Sequence, residues 1–285
     1  MRMLQKDEDV ASQVAEKLVT VPVFELREVS FSYHDVTALD GLNLTIEPGQ
    51  RIVLLGANGS GKSTLLSMLD GLCFPGQGSV NFRGEPLTED RLNAREVEFD
   101  FRRRVGLVFQ NPDVQLFNPI VFDEVAFGPL QLQWPKEKIR LRVAETLEQM
   151  GIAHLKNRSP HQLSIGEKKR VALASVLILD PEVLLLDEPT AALDPKSESQ
   201  MIDFLVSCSG GRKTVVTATH DLDLLDDIAD LCQVLLQGRI VAAGTPAEIL
   251  RDHDLLRRTG LVHAHRHAHA SGEVHSHPHR HGHGH

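Results

Sequence analysis

No feature constrains the fold of this chain as tightly as residues 51–64, RIVLLGANGSGKST. There a short apolar run meets the pattern G-x-x-x-x-G-K-[ST] and passes directly into a segment with helical apolar spacing, Leu65 to Leu72. A continuous apolar run of this length reads as a strand covered on both faces, the kind found in parallel sheets. The turn after it must bring several backbone N–H groups toward one point, which Gly56, Gly59 and Gly61 permit through unusual dihedrals and close backbone approach. Such a nest accommodates dense negative charge. The following helix N-terminus adds partial positive charge, Lys62 can reach the β- and γ-phosphates of a nucleoside triphosphate, and the Ser63 hydroxyl can ligate Mg2+. Ala57, Asn58, Ser60 and Thr64 complete the expected phosphate loop.

A second cluster answers the first. The run Val183-Leu-Leu-Leu-Asp187-Glu188 delivers two carboxylates at the exit of another buried strand, and ligand sites in parallel α/β sheets lie beyond the carboxyl ends of the strands. Neighbouring strand residues point to opposite sides, so Asp187 is expected to hold Mg2+, usually through water, while Glu188 polarises the attacking water. Alone, each motif has a plain reading as a glycine-rich or an acidic turn. Together they point to Mg2+-dependent phosphoryl transfer, which leaves kinases, GTPases, helicases and many ATPases open.

Composition narrows the class further. The 285 residues, 41% apolar, suffice for one large domain or two small ones with a genuine core. A formal net charge of -9 and a pI near 5.9 argue against a general nucleic-acid binder, and the local runs Arg102–Arg104 and Lys168–Arg170 read as solvated or salt-bridged faces. Cys73, Cys208 and Cys232 are widely spaced and form neither a disulfide framework nor a zinc knuckle, which fits a reducing cytosol. The N-terminus, MRMLQKDEDV, carries charge where a signal peptide would be apolar, and the longest apolar stretch, Val171 to Leu179, falls far short of the roughly 20 residues of a membrane span.

Three zones follow. Residues 1–22 read as a polar N-terminal extension, a loosely held arm or a short helix. Residues 23–262 are globular, with Phe24–Tyr33 and Leu42–Ile46 alternating like half-buried antiparallel strands. Ile139, Val143, Leu147 and Met150 predict a helix from Lys136 with Pro135 at N1 and Gly151 at C′, and Thr245, Pro246 and Glu248 predict a capped last helix through about Arg258. Residues 263–285 hold ten His and almost nothing apolar, so this tail is expected to be disordered without a ligand.

The segments between these motifs carry a resemblance. Leu163-Ser-Ile-Gly-Glu167, ahead of the acidic strand, resembles the LSGGQ signature of the ABC ATPase family. Gln110 in VFQNPDVQLF resembles its Q-loop, Ala192-Leu193-Asp194 its D-loop, His220 in TATHD its H-loop and Tyr33 in FSYHD its aromatic A-loop. All arrive in family order over about Val23 to Thr259. The resemblance implies an α/β fold with a RecA-like mixed sheet core, an antiparallel β subdomain and a helical subdomain at about 111–170. It implies that Tyr33 stacks on adenine, that Gln110 senses Mg2+ and the γ-phosphate, that His220 orients water or Glu188, and that Asp194 and Glu167 border the nucleotide. Ser164 and Gly166 would close over ATP held by a second copy, so two ATP molecules lie in one homodimer interface. Ile165 and Glu167 depart from the family's Gly and Gln, and a β-branched Ile restricts the backbone where Gly is free.

The stretch FQNPDVQLFNPIVFDEVAFGP further resembles energy-coupling-factor importers, whose cargo is vitamins or the metals cobalt and nickel. Imidazole suits Ni2+ and Co2+, so His263, His265, His267, His269, His275, His277, His279, His281, His283 and His285 favour the metals. The expected setting is the cytoplasmic face of the membrane, against integral transporter subunits. Too few residues separate Gln110 from Ser164 for the coiled coil of a DNA-repair ABC ATPase. A P-loop phosphotransferase would leave LSIGE, the D-loop and His220 without work, whereas exporters and other importers stay open.

Overall fold

The structure is a computed structural model, and it describes residues 21–211, 213–268 and 274–279. In chain order the strands of its two main sheets are β1 (Phe24–Tyr33), β2 (Val36–Ile46), β3 (Arg51–Leu55), β4 (Gln77–Phe82), β5 (Glu85–Pro86), β6 (Val105–Val108), β7 (Val183–Asp187), β8 (Thr214–Thr219), β9 (Leu231–Leu236) and β10 (Arg239–Gly244). Alternation along β3 and β7 organises the packing. Ile52, Leu54, Val183 and Leu185 enter a core shared with the antiparallel sheet and the helix Lys62–Leu69. Val53, Leu55, Leu184 and Leu186 point the other way, into a core shared with the helices Val121–Gln131, Lys136–Gln149 and Ile165–Leu177. Strands buried on both faces need apolar residues at every position, which explains the unbroken runs.

The larger sheet has the order β10-β9-β3-β8-β7-β6, parallel except for β10, and the smaller is antiparallel in the order β2-β1-β4-β5. This is the expected mixed core with an antiparallel sheet and a helical layer. Because β3, β8 and β7 are adjacent and parallel, the chain leaves all three on the same edge, and Gly56, His220 and Glu188 emerge side by side.

Several local expectations shift for physical reasons. Pro135 is the N-cap rather than N1, with an extended ψ of 136°, while Gly151 takes the C′ role at φ +66° and Ile152 N–H reaches Leu147 O at 2.9 Å. The single last helix is two, Pro246–Arg251 and His253–Arg258. Asp252 leaves the helical range and its carboxylate accepts Leu255 N–H at 2.8 Å, starting a second helix. Residues 1–20, expected to be an arm or helix, lie outside the described residues. In the tail, expected to lack structure, β11 (His263–Ala268) pairs antiparallel with β12 (Val274–His279), a ladder that the period-2 alternation of His suits.

Asp70, the C-cap of the helix Lys62–Leu69, is 7% exposed, and Arg102 Nη1 donates to its backbone oxygen at 2.6 Å and to its carboxylate at 3.1 Å. Burial outweighs Arg102 and pushes the carboxyl from 3.8 up to about 7. Between those values the folded chain binds more protons than the unfolded one, so stability from this group is present at low pH and is lost as pH rises through about 7. Asp70→Asn keeps an acceptor for Arg102 and should lose less melting temperature than the parent between about pH 5 and 8, a difference on the order of 3 kcal/mol at most. Equal pH slopes for the two proteins would refute this assignment.

Candidate functional site

The phosphate loop bends where glycine alone fits. Gly61 sits at φ +107°, and a Cβ there would lie 2.6 Å from Ala38 O; Gly59 sits at φ +79°. Ala57, Asn58, Ser60, Lys62, Ser63 and Thr64 occupy the same turn and the first residues of the helix Lys62–Leu69, as the motif requires. Lys62 is buried, and its ammonium donates to Gly56 O at 2.6 Å and Ala57 O at 3.2 Å. Burial lowers its pKa, opposed by the charges of Glu188 and Asp187.

Glu188 follows β7 in the left-handed region, φ +45°, only 5% exposed, with its N–H held by Ala218 O at 2.9 Å. Such backbone is costly for a non-glycine residue and is kept where the surroundings fix it. Its carboxylate is anchored at both oxygens. Oε1 meets His220 Nδ1 at 2.9 Å and lies 3.8 Å from Lys62 Nζ, while Oε2 accepts from Thr219 Oγ1 at 3.2 Å. Thr219 was not among the expected site residues, although it stands beside His220 in TATHD. Asp187, buried at the last position of β7, bonds Ser63 instead; burial raises its pKa, and its Oδ1 has no hydrogen-bond partner. The two adjacent carboxylates therefore face different partners, but strand alternation is not the cause: β7 ends at Asp187, and the left-handed turn at Glu188 sets the direction of the second carboxylate.

Other expected residues stand further off. Gln110 lies two residues past β6 and is exposed, outside the bonded cluster around Glu188. Tyr33 ends β1 half exposed and meets Phe31 edge to face at 4.8 Å, leaving ring surface to solvent. Ser164 is exposed as N-cap of the helix Ile165–Leu177. It forms a reciprocal capping box with Glu167, whose carboxylate accepts Ser164 N–H at 2.8 Å and Ser164 Oγ–H at 3.0 Å. Those bonds, the backbone one first, hold the Glu167 carboxyl below its ordinary value. Glu167 thus orients Ser164. Ile165 is the first residue of that helix, a position with no need of glycine's freedom, so the expected restriction does not arise. Asp194 caps the helix Pro195–Ser207, accepting from the N–H groups of Lys196 and Ser197 and from Ser197 Oγ at 2.6 Å.

The basic run 168–170 is likewise engaged. Lys168 pairs with Asp113, just past Gln110, at 2.7 Å. Lys169 is 3% exposed and donates to three backbone oxygens, those of Glu188 (2.8 Å), Pro189 (3.2 Å) and Ala191 (2.7 Å). Burial lowers its ammonium to about 8 against the opposing charges of Glu188 and Asp187. A solvated face was expected; the middle lysine is interior.

The site thus assembles a triphosphate nest, a buried ammonium, one carboxylate with an open oxygen and a second held by His and Thr, a set able to bind phosphates and activate water. Comparisons with known proteins agree. The family model described as ABC transporter matches residues 39–191. A nickel import ATP-binding protein, NikO of Rhodobacter capsulatus, is 58% identical over 244 residues, covering 85% of this chain and 96% of that one. The energy-coupling factor transporter ATP-binding protein EcfA of Methanothermobacter thermautotrophicus is 45% identical, covering 84% of this chain and 76% of that one. Among solved structures, CbiO1 of Clostridium perfringens, part of the ABC transporter complex CbiONQ, superposes with a TM-score of 0.71 at 38% identity, covering 84% of this chain and 95% of that one. A bacterial ABC transporter cassette solved as a dimer gives 0.70 at 29% identity, covering 78% and 98%. A family match across more than half of the sequence, lying over the nest and both carboxylates, places the chain in the ABC transporter family as an ATP-binding protein that hydrolyses ATP.

Proposed function

We propose that the chain powers a membrane importer of nickel or cobalt, working as a homodimer at the cytoplasmic face of the membrane against integral transporter subunits. The observation that carries the ATPase core of this reading is the Glu188 carboxylate fixed by His220 and Thr219 beside Lys62 and the glycine nest. Mg2+ fits the open Asp187 Oδ1 and the Ser63 hydroxyl, hard oxygen donors both, with Gln110 as a further oxygen on the neighbouring loop. When bound it neutralises phosphate charge. Lys62 and the loop N–H groups orient the triphosphate, Tyr33 offers a ring to the base, and Glu188 accepts a proton from water that His220 helps to position. In this reading Ser164, at an exposed helix N-terminus, gives up its hydroxyl bond to Glu167 and donates instead to the γ-phosphate of the second copy's ATP.

Support for a membrane partner comes from the segment after Gln110. Phe117 and Phe127 meet edge to face at 4.9 Å yet remain exposed, as do Val114 and Leu130. No helix of the described residues is long and apolar enough to cross a membrane, so the cargo path belongs to partners in this reading. Nickel or cobalt is supported by the relatives named for nickel import and for the CbiONQ complex. Uptake of Ni2+ and Co2+ by cells expressing the chain with its membrane subunits tests the cargo; uptake unchanged when the chain is deleted would refute it.

The tail adds a metal contact in this proposal. The ladder sets His263 opposite His279, His265 opposite His277 and His267 opposite His275, whereas His269, His281, His283 and His285 lie outside the described residues. Imidazole is a donor that suits Ni2+ and Co2+. Titration should show Ni2+ binding by the full chain that is lost on truncation after Val262, and equal binding by both would end the idea.

A further inference from the structure

The turn from Glu188 to Ala191 points the backbone oxygens of Glu188, Pro189 and Ala191 at one place, and the Lys169 ammonium occupies it with three N–H donors for three acceptors. Packing alone needs no charge there, since a buried ammonium is costly unless it is satisfied. What a neutral filler would not do is hold three converging carbonyls in a turn bracketed by left-handed residues, Glu188 at φ +45° and Ala192 at φ +60°. Lys169 reaches that turn from the helix Ile165–Leu177, whose first turn carries Ser164, Gly166 and Glu167.

Two more contacts join the same pair of elements. The space beside Gly166 is filled by Ser197, whose Oγ would stand 2.4 Å from a Cβ, and Arg170 Nη1 donates to Gln200 Oε1 at 2.7 Å. The helix bearing Ser164 is therefore locked to the segment 188–200 of its own chain. Lys169 is the link nearest the catalytic carboxylate.

We propose that Lys169 is a positioning residue: it ties the turn carrying Glu188 to the signature helix, so that closure of this helix over the second copy's nucleotide sets the carboxylate of its own ATP site. The two sites then work in concert through five residues of helix. The proposal rests on the two-copy reading above.

Lys169→Met keeps the length and removes the donors; Lys169→Gln restores two of them. In steady-state ATP hydrolysis, Lys169→Met should lose about tenfold or more in kcat with KM for ATP within about twofold. The Hill coefficient should fall from the parent's value above 1 to 1. Lys169→Gln should recover part of both, and it carries the same comparison with the parent should the Met variant fail to fold. An unchanged kcat, or cooperativity that survives a lowered kcat, would overturn the proposal while leaving the dimer intact. So would a loss of ATP affinity that tracks the melting temperature, the mark of a structural role only. A dimeric parent with a Hill coefficient of 1 would overturn this proposal alone, whereas a parent that sedimentation shows to hydrolyse ATP as a monomer would overturn the two-copy reading, and this proposal with it.

Discussion

Glu188→Gln should keep ATP bound at near-parental affinity while turnover falls by roughly two to four orders of magnitude. The amide has the carboxylate's shape, and its oxygen and nitrogen can still meet His220 and Thr219, so the buried turn should hold. It has no basicity to take a proton from water. Thr219→Ala separates the chemical loss from the geometric one: removing a single hydrogen bond to a carboxylate is worth about 1.5–3 kcal/mol, so that variant should lose roughly ten- to a hundredfold. Phosphate release measured beside equilibrium binding of a fluorescent ATP analogue checks both. Parental turnover in Glu188→Gln would remove Glu188 as the base.

The parts of this site that could be read directly are those in which chemistry dictates residue type and spacing over a few consecutive positions. A triphosphate nest needs glycines, a lysine and a hydroxyl in fixed order, and a parallel strand must be apolar until its polar end, so residues 51–64 and 183–188 announced both fold class and chemistry. Lys169 was not legible because its partners are backbone oxygens from 19 to 22 residues away, and backbone oxygens leave no trace in residue identity. Asp194 was visible as part of a family motif, but its work as a helix cap depends on where the helix Pro195–Ser207 starts. Glu167 is different, because the S-x-x-E pattern from Ser164 is the same signal that identified the cap at Thr245. Reading it only as a variant signature hid its local role. Asp252 illustrates a third cause. A short polar side chain inside an apolar-periodic stretch can cap a new helix as easily as tolerate the old one, and the choice is made by tertiary packing.

If each ATP lies between the glycine nest of one copy and the Ser164 turn of the other, two inactive variants should repair each other. Lys62→Ala removes the ammonium from the nest. Ser164→Asp can still accept the Glu167 N–H as an N-cap, although it loses the hydroxyl proton donated to the Glu167 carboxylate, and it sets a carboxylate where the γ-phosphate must approach, a like-charge contact costing several kcal/mol. Alone, each variant has both composite sites damaged, so each should be nearly inactive. In a mixed dimer the damage collects: one site carries both substitutions, and the other joins an intact nest to an intact serine. Random pairing of equal amounts makes half of the dimers mixed, each with one working site, so activity should return to roughly a quarter of the parent's when the sites act independently. Concerted action of the kind assigned to Lys169 would lower this figure without abolishing it. A mixture that stays inactive, with subunit exchange verified by crosslinking, would mean that Ser164 serves no neighbour's nucleotide.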